Sequence, residues 1–250
     1  MKLFKIINSI LFVAAAAFAQ SSLASVVFSF GTPNGTEIGS GFGNTYSFTD
    51  SSGLSVDVTS FGLTANGGTE FEAAQVGQFF GGLGSCNTFE GLGCNSPLHT
   101  ADNIGQKEVL VMAFNQQVDF SSVELTNFGT DNNYVDIEYW IGTAPIPVAL
   151  AGSTASNTTK SNDSITTISG FGESTYSFEY VGFQDIASFD LTPGTGNVLI
   201  IGATFGDPFK DGNNDRFKLS SVTVTAVPIP AAAWLFGSAL IGMSALKRRK

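Results

Sequence analysis

Histidine and cysteine are nearly missing from this chain. Its 250 residues hold one histidine, His99, and two cysteines, Cys86 and Cys94. A single histidine leaves little for general-base chemistry, and no Gly-x-Ser-x-Gly elbow supplies a nucleophile for it to serve. Two thiols and one histidine make a poor zinc site, and no second cysteine pair exists. Basic residues are also scarce, 11 Lys and Arg against 21 Asp and Glu. Six of these cations, Lys2, Lys5, Lys247, Arg248, Arg249 and Lys250, sit in the two end segments, which hold no acid. The stretch between them therefore keeps five cations against all 21 acids, a net charge near −16. Such a surface repels nucleic acid and anionic lipid, and suits divalent cations or a cationic partner. The region between the ends shows no amphipathic helix and no repeat long enough for a solenoid.

The two ends carry directional signals. Lys2 and Lys5 precede an apolar stretch from Ile6 to Phe18, and small residues follow at Ala17-Phe18-Ala19 and Ser22-Leu23-Ala24. Residues 1–24 thus read as a signal peptide. Cleavage is expected after Ala24, because Ser25-Val26-Val27-Phe28-Ser29-Phe30 already reads as a strand. At the other end Val227-Pro228-Ile229-Pro230 leads into an apolar run ending at Leu246, followed by Lys247, Arg248, Arg249 and Lys250. About 18 uncharged residues from Ile229, at about 1.5 Å each in a helix, nearly span a hydrocarbon core of about 30 Å. Pro228 and Pro230 cannot lie inside that helix and leave an extended stretch at its mouth. The four terminal cations hold their end in the cytoplasm.

Val227-Pro228-Ile229-Pro230-Ala231-Ala232-Ala233-Trp234-Leu235-Phe236-Gly237-Ser238, with the small-residue helix and basic end behind it, resembles the PEP-CTERM sorting domain of bacterial surface proteins. Ile229 stands where the name motif has Glu. The resemblance implies an exosortase partner, a membrane transpeptidase-like enzyme that cuts near the Pro-x-Pro. The chain would use the export machinery, stay in the inner membrane transiently, and pass to the cell surface or extracellular matrix. Residues 228–250 are then the sorting signal and 25–227 the exported body.

The body is long enough for one large all-β domain. Leu54, Val56 and Val58 alternate with polar residues, as do Val135, Ile137 and Tyr139, and Tyr176, Phe178 and Tyr180. These read as half-buried strands with one wet face. Val109-Leu110-Val111-Met112-Ala113-Phe114 and Val198-Leu199-Ile200-Ile201-Gly202-Ala203 are continuous apolar runs suited to central strands. Phe120-Ser121-Ser122-Val123 and Leu219-Ser220-Ser221-Val222 each change apolar phase at a Ser-Ser pair, which predicts a β-bulge in each. The expected fold is an antiparallel two-sheet β-sandwich of jelly-roll type. An outer-membrane β-barrel is the runner-up, opposed by the long Gly/Ser/Thr loops and the C-terminal helix. Residues 151–164 are expected to form a mobile loop.

Cys86 and Cys94, close together in a Gly-rich segment of an exported chain, are expected to form a disulfide closing a short loop, worth about 2–3 kcal/mol. Gly81-Gly82-Leu83-Gly84, Ser96-Pro97-Leu98-His99-Thr100-Ala101-Asp102-Asn103 and Asp136-Ile137-Glu138-Tyr139-Trp140-Ile141-Gly142 resemble the Gly-rich loop, the His-containing segment and the late strand of an exosortase-dependent surface-protein family. That resemblance implies surface display and supplies no reaction. Asp102 and Asn103, and separately Asp211, Asn213 and Asp215, offer oxygen donors of the kind calcium takes. The second group lacks the EF-hand spacing, since Val222 stands where its Glu belongs. The alternative for both is a turn whose Asx side chains bond their own backbone. Trp140 or Tyr139 could stack on a sugar, one of them facing out and the other in. The sequence therefore suggests a non-enzymatic structural or interaction protein of the surface or matrix, with structural calcium as the one cofactor it could take. Exopolysaccharide binding is the alternative, and a secreted hydrolase centred on His99 the remote third.

Overall fold

A computed structural model describes residues 24–64, 68–90, 99–103, 106–129, 134–160, 163–205 and 215–228, with side chains left undescribed at 134, 157–160 and 163–165. Residues 1–23 of the expected signal peptide, Cys94, Asp211, Asn213, Ile229, Pro230 and the basic run Lys247 to Lys250 lie outside the described residues. Ser25–Ala226 forms one compact unit. The described residues are all-β and contain no helix.

Fifteen strands follow in chain order. The first seven are β1 (Ser25–Ser29), β2 (Thr36–Ile38), β3 (Thr45–Thr49), β4 (Ser55–Leu63), β5 (Phe71–Phe79), β6 (Gly82–Cys86) and β7 (Ala101–Asp102). Then come β8 (Glu108–Asn127), β9 (Tyr134–Gly142), β10 (Ala155–Lys160), β11 (Asp163–Ile168) and β12 (Gly172–Glu173). The last three are β13 (Thr175–Tyr180), β14 (Ile186–Ala203) and β15 (Arg216–Ala226). All pairings are antiparallel, and twelve strands make one sheet in the order β13-β9-β14-β8-β15-β6-β5-β4-β3-β2, with β1 and β7 added on β15. β8 also pairs β4, so β4, β5, β6, β15 and β8 close a five-stranded ring. A separate sheet holds β10-β11-β12.

Two separate facing sheets were the expectation, and strand length explains the difference. β8 has 20 residues and β14 has 18. Such strands outlast any single neighbour. The first part of β8 pairs β4 between Glu108 and Phe114, and its second part pairs β15 from Val118 to Asn127. β14 follows β8 along both parts. One strand thus joins two walls without a break.

The apolar runs in β8 and β14 are central, as their composition demands. Leu110, Met112 and Phe114 enter a core inside the ring with Val56, Phe120 and Val222. Val109, Val111 and Ala113 point the other way, into a second core with Trp140, Ile200, Phe205 and Ile168. Burial of each such side chain contributes about 1.5–3 kcal/mol. Phe114 meets both Phe28 and Phe120 edge-on, at 5.9 and 5.5 Å, and such pairs add about 0.5–1.5 kcal/mol each.

Both Ser-Ser bulges are present, in the same strand pair. Leu219 faces Leu125 and Ser221 faces Glu124, so Ser220 is the extra residue in β15. Thr223 faces Ser122 and Val224 faces Phe120, so Ser121 is the extra residue in β8. The slips are opposite and cancel, which keeps Leu219, Val222 and Val224 all turned inward. Ser220 Oγ is fixed by donating to the Gly81 carbonyl at 2.8 Å.

Three expectations are corrected. The Gly-Gly-Leu-Gly segment is not a loop: β6 lies between β5 and β15. A Cβ on Gly82 would stand 2.1 Å from the Leu219 carbonyl oxygen, and one on Gly84 would stand 2.2 Å from that of His99. Only glycine lets backbone approach backbone that closely. Residues 151–164 are not a mobile loop either, because Ala155–Lys160 pairs in register with Asp163–Ile168. Threonine suits a strand as well as a loop, and the window holds several. Finally, β9 has no wet face. Val135, Ile137 and Tyr139 enter the inner core, while Asp136, Glu138 and Trp140 are buried on the opposite side.

Candidate functional site

Polar side chains concentrate around His99 to Asn103, where β7 joins the edge of β15. Asp102 and Asn103, neighbours at the end of β7, point to opposite sides. The result is two polar groups, not one.

On one side stand Cys86, Glu90 and His99. An Asx turn places Glu90: Asn87 Oδ1 accepts from the backbone N–H of Phe89 at 2.9 Å and of Glu90 at 3.2 Å. The Asn87 N–H then donates to Glu90 Oε2 at 3.2 Å. Glu90 Oε2 lies 3.8 Å from His99 Nδ1, and Cys86 Sγ lies 4.0 Å from His99 Nε2. The donor atoms of the three residues are all within 4.8 Å of one another. Cys86 is a free thiol, 0% exposed. The expected disulfide involves Cys94, which lies outside the described residues. As the last residue of β6, Cys86 directs its sulfur to the imidazole.

Glu108, the first residue of β8, adds a carboxyl to this group. It is 0% exposed and neither oxygen has a hydrogen-bond partner. Burial first, then the nearby charges of Asp102 and Glu90, push it well above the usual carboxylate range. Burial, followed by the charges of Glu90 and Glu108, pushes the Cys86 thiol up to about 12. Asp102 belongs here as well, accepting from Thr100 Oγ1 at 3.4 Å.

Asn103 faces the other way and joins Asp215. Its Nδ2 donates to Asp215 Oδ2 at 2.9 Å and to the Thr204 carbonyl at 3.2 Å. Asp215 Oδ1 accepts from the Asp136 N–H at 3.1 Å. Asp136, Asp215 and Asn103 are all buried, and Asn103 Oδ1 has no hydrogen-bond partner. The structure thus unites Asn103 with the segment that ends in Asp215, adds Asp136, and separates Asp102 from them. The sequence did not single out Asp136 as an oxygen donor; its place in an alternating strand implied an exposed face.

Trp140 cannot stack on a sugar. It is 2% exposed, its Nε1 donates to the Thr166 carbonyl at 3.2 Å, and its ring meets Phe205 edge-on at 6.2 Å. Tyr139 is buried too, with its hydroxyl donating to Thr192 Oγ1 at 3.0 Å. The expectation that one of the pair faces outward fails because the second sheet and Phe205 cover the outer side of β9. A cleft of about 260 Å³ opens beside them, lined by Phe171, Glu173, Thr175, Thr192 and Thr195 among others.

The Cys86–His99–Glu90 order resembles a nucleophile, base and acid in series, but the thiol lacks what a nucleophile needs. Catalytic cysteines have lowered pKa values and reach solvent. This one is fully buried and its proton is held more tightly than usual. Comparison with protein-family models and with curated proteins finds no match for the chain.

Proposed function

We propose that this chain is an exported substrate of an exosortase, displayed on the cell surface or in the extracellular matrix as a non-catalytic structural or interaction protein. The single observation behind this reading is the tail that begins at Val227-Pro228-Ile229-Pro230. Its position supports the reading: β15 ends at Ala226, and Val227 and the exposed Pro228 follow directly outside any strand. A protease can take only extended, accessible chain. Ser25 pairs with Thr225, so the body begins beside the place where it ends. Removal of residues 1–24 and 228–250 would leave every strand of the described residues intact. The high thiol pKa and full burial of Cys86 support a non-catalytic role. We also read the two walls joined by β8 and β14 as a jelly-roll-like sandwich, and Asn103, Asp136 and Asp215 as ligands of a structural calcium.

Intact mass of the protein recovered from cells with and without exosortase tests the sorting reading. The expected product starts at Ser25 and ends near Val227, and appears only when the enzyme is present. Full-length chain embedded in the membrane of exosortase-positive cells would overturn it.

The cleft beside Phe171 favours a second reading, an exopolysaccharide-binding module. Hydroxyls, a carboxylate and an aromatic edge around a shallow depression are the groups that hold sugars. A glycan array of the body and its Phe171→Ala variant decides it. The reading requires a hit that the variant weakens, and an empty array removes it.

A further inference from the structure

We infer that Cys86, His99 and Glu90 form a binding site for a single divalent metal ion of the zinc type. Three donor types converge: a thiol, an imidazole and a carboxylate, with mutual separations of no more than 4.8 Å. Zinc takes Cys at about 2.3 Å, His at about 2.0–2.1 Å and carboxylate at about 2.0–2.2 Å, so donors in a tetrahedral shell stand about 3.3–3.8 Å apart. One ion takes one imidazole nitrogen, so either Cys86 Sγ, 4.0 Å from His99 Nε2, or Glu90 Oε2, 3.8 Å from His99 Nδ1, already stands near shell distance, and the third donor, within 4.8 Å, must close by about 1 Å. The donors also come from a firm frame. Cys86 ends a strand held between β5 and β15, and Glu90 is placed by the Asn87 turn.

Glu108 is the independent observation. It is fully buried, and neither oxygen has a hydrogen bond of ordinary length and angle, Ser85 and the Asp102 backbone being its nearest donors. It stands close enough to Glu90 and Cys86 for their charges to act on one another. Such a carboxyl is costly to bury without a cation or a partner. A cation between Cys86, Glu90 and His99 gives it one. Thiolate with imidazole selects a borderline ion such as zinc over calcium or magnesium, which prefer oxygen alone. The chemistry is binding only: the ion displaces the Cys86 proton to solvent and forms a sulfur–metal bond, with no change of oxidation state.

Cobalt(II) titration of the full chain, with both thiols reduced, tests the site through the sulfur-to-cobalt charge-transfer absorption. The expected result is one equivalent of cobalt with that absorption, displaced by zinc. Cys86→Ser should abolish the absorption and Cys94→Ser should keep it. Glu108→Gln should bind cobalt about 10–100-fold more weakly, the usual effect of losing a carboxylate that supports a metal site. The wild-type reading alone is decisive if a variant fails to fold: no charge-transfer absorption in the reduced full chain overturns the proposal. So does loss of the absorption in Cys94→Ser. Mass mapping that finds Cys86 joined to Cys94 in protein from the exporting cell overturns it as well.

Discussion

Glu138 shows what burial does to one side chain. It accepts from Thr166 Oγ1 at 2.7 Å, from the Phe205 N–H at 3.2 Å and from Ser174 Oγ at 3.3 Å. Those donors and the Lys107 charge favour the carboxylate, yet desolvation outweighs them and its pKa rises to about 7. The folded protein therefore binds a proton that the unfolded chain has released. This contribution to stability is complete below about pH 4.5 and is lost as the pH climbs to about 7. A rise from 4.5 to about 7, at about 1.4 kcal/mol per pH unit, amounts to about 3 kcal/mol. Glu138→Gln keeps an acceptor oxygen and cannot titrate. Denaturant unfolding at pH 5 and pH 8 should show wild type losing about 3 kcal/mol more than the variant across that interval. Parallel losses in the two proteins would refute the assignment.

Strands differ in how openly the sequence declares them. β8 and β14 were legible because both their faces are covered, which demands an unbroken apolar run. The bulges were legible because Phe120 and Val123, and Leu219 and Val222, are three apart and all turned inward. β6 was not legible, since its glycines act by lacking side chains, and backbone approach leaves no hydrophobic pattern. The β10-β11 hairpin was hidden by its Ser, Thr and Asn content. The covering of β9 could not be read from β9 itself, because the second sheet that hides Asp136, Glu138 and Trp140 comes later in the chain. Bulge and regular strand should respond differently to deletion. Removing Ser220 leaves Leu219, Ser221 and Val222 opposite their present partners in β8, so it costs the Gly81 and Thr126 hydrogen bonds, the Phe30 N–H bond to the Ser220 carbonyl and some twist. That is about 1–3 kcal/mol. Removing Thr59 from β4, which pairs β8 without a slip, turns Phe61 and Leu63 to the wrong face relative to Val56 and Val58. The first variant should melt cooperatively at a lowered temperature, while the second should show no cooperative transition by circular dichroism. Equal damage from the two deletions would mean that Ser220 is part of the regular ladder.

At the level of the whole molecule, charge and closure pull against each other. Residues 25–227 carry a net charge near −16, and self-repulsion of that size favours the expanded chain. Folding also gathers acids from distant points of the sequence, since Asn103, Asp136, Thr204 and Asp215 meet where β9, β14 and β15 end or begin. A calcium ion at that junction would tie four separate segments and offset the charge of two buried aspartates. Binding that exists only in the folded state adds about 2.7 kcal/mol at a hundredfold excess over the dissociation constant. For a body of this length that is about 5–10 °C in melting temperature. General screening by salt would act on all the surface acids at once, so the comparison must hold ionic strength fixed. Melting of the body with calcium chloride should exceed melting in sodium chloride of the same ionic strength by that amount. Asn103→Ala, which removes the buried Oδ1 and the bridge to Asp215, should lose the difference while keeping the response to sodium chloride. Equal melting temperatures in the two salts would reduce the junction to a hydrogen-bonded clip and leave the Cys86 group as the molecule's sole candidate for a metal ion among the described residues.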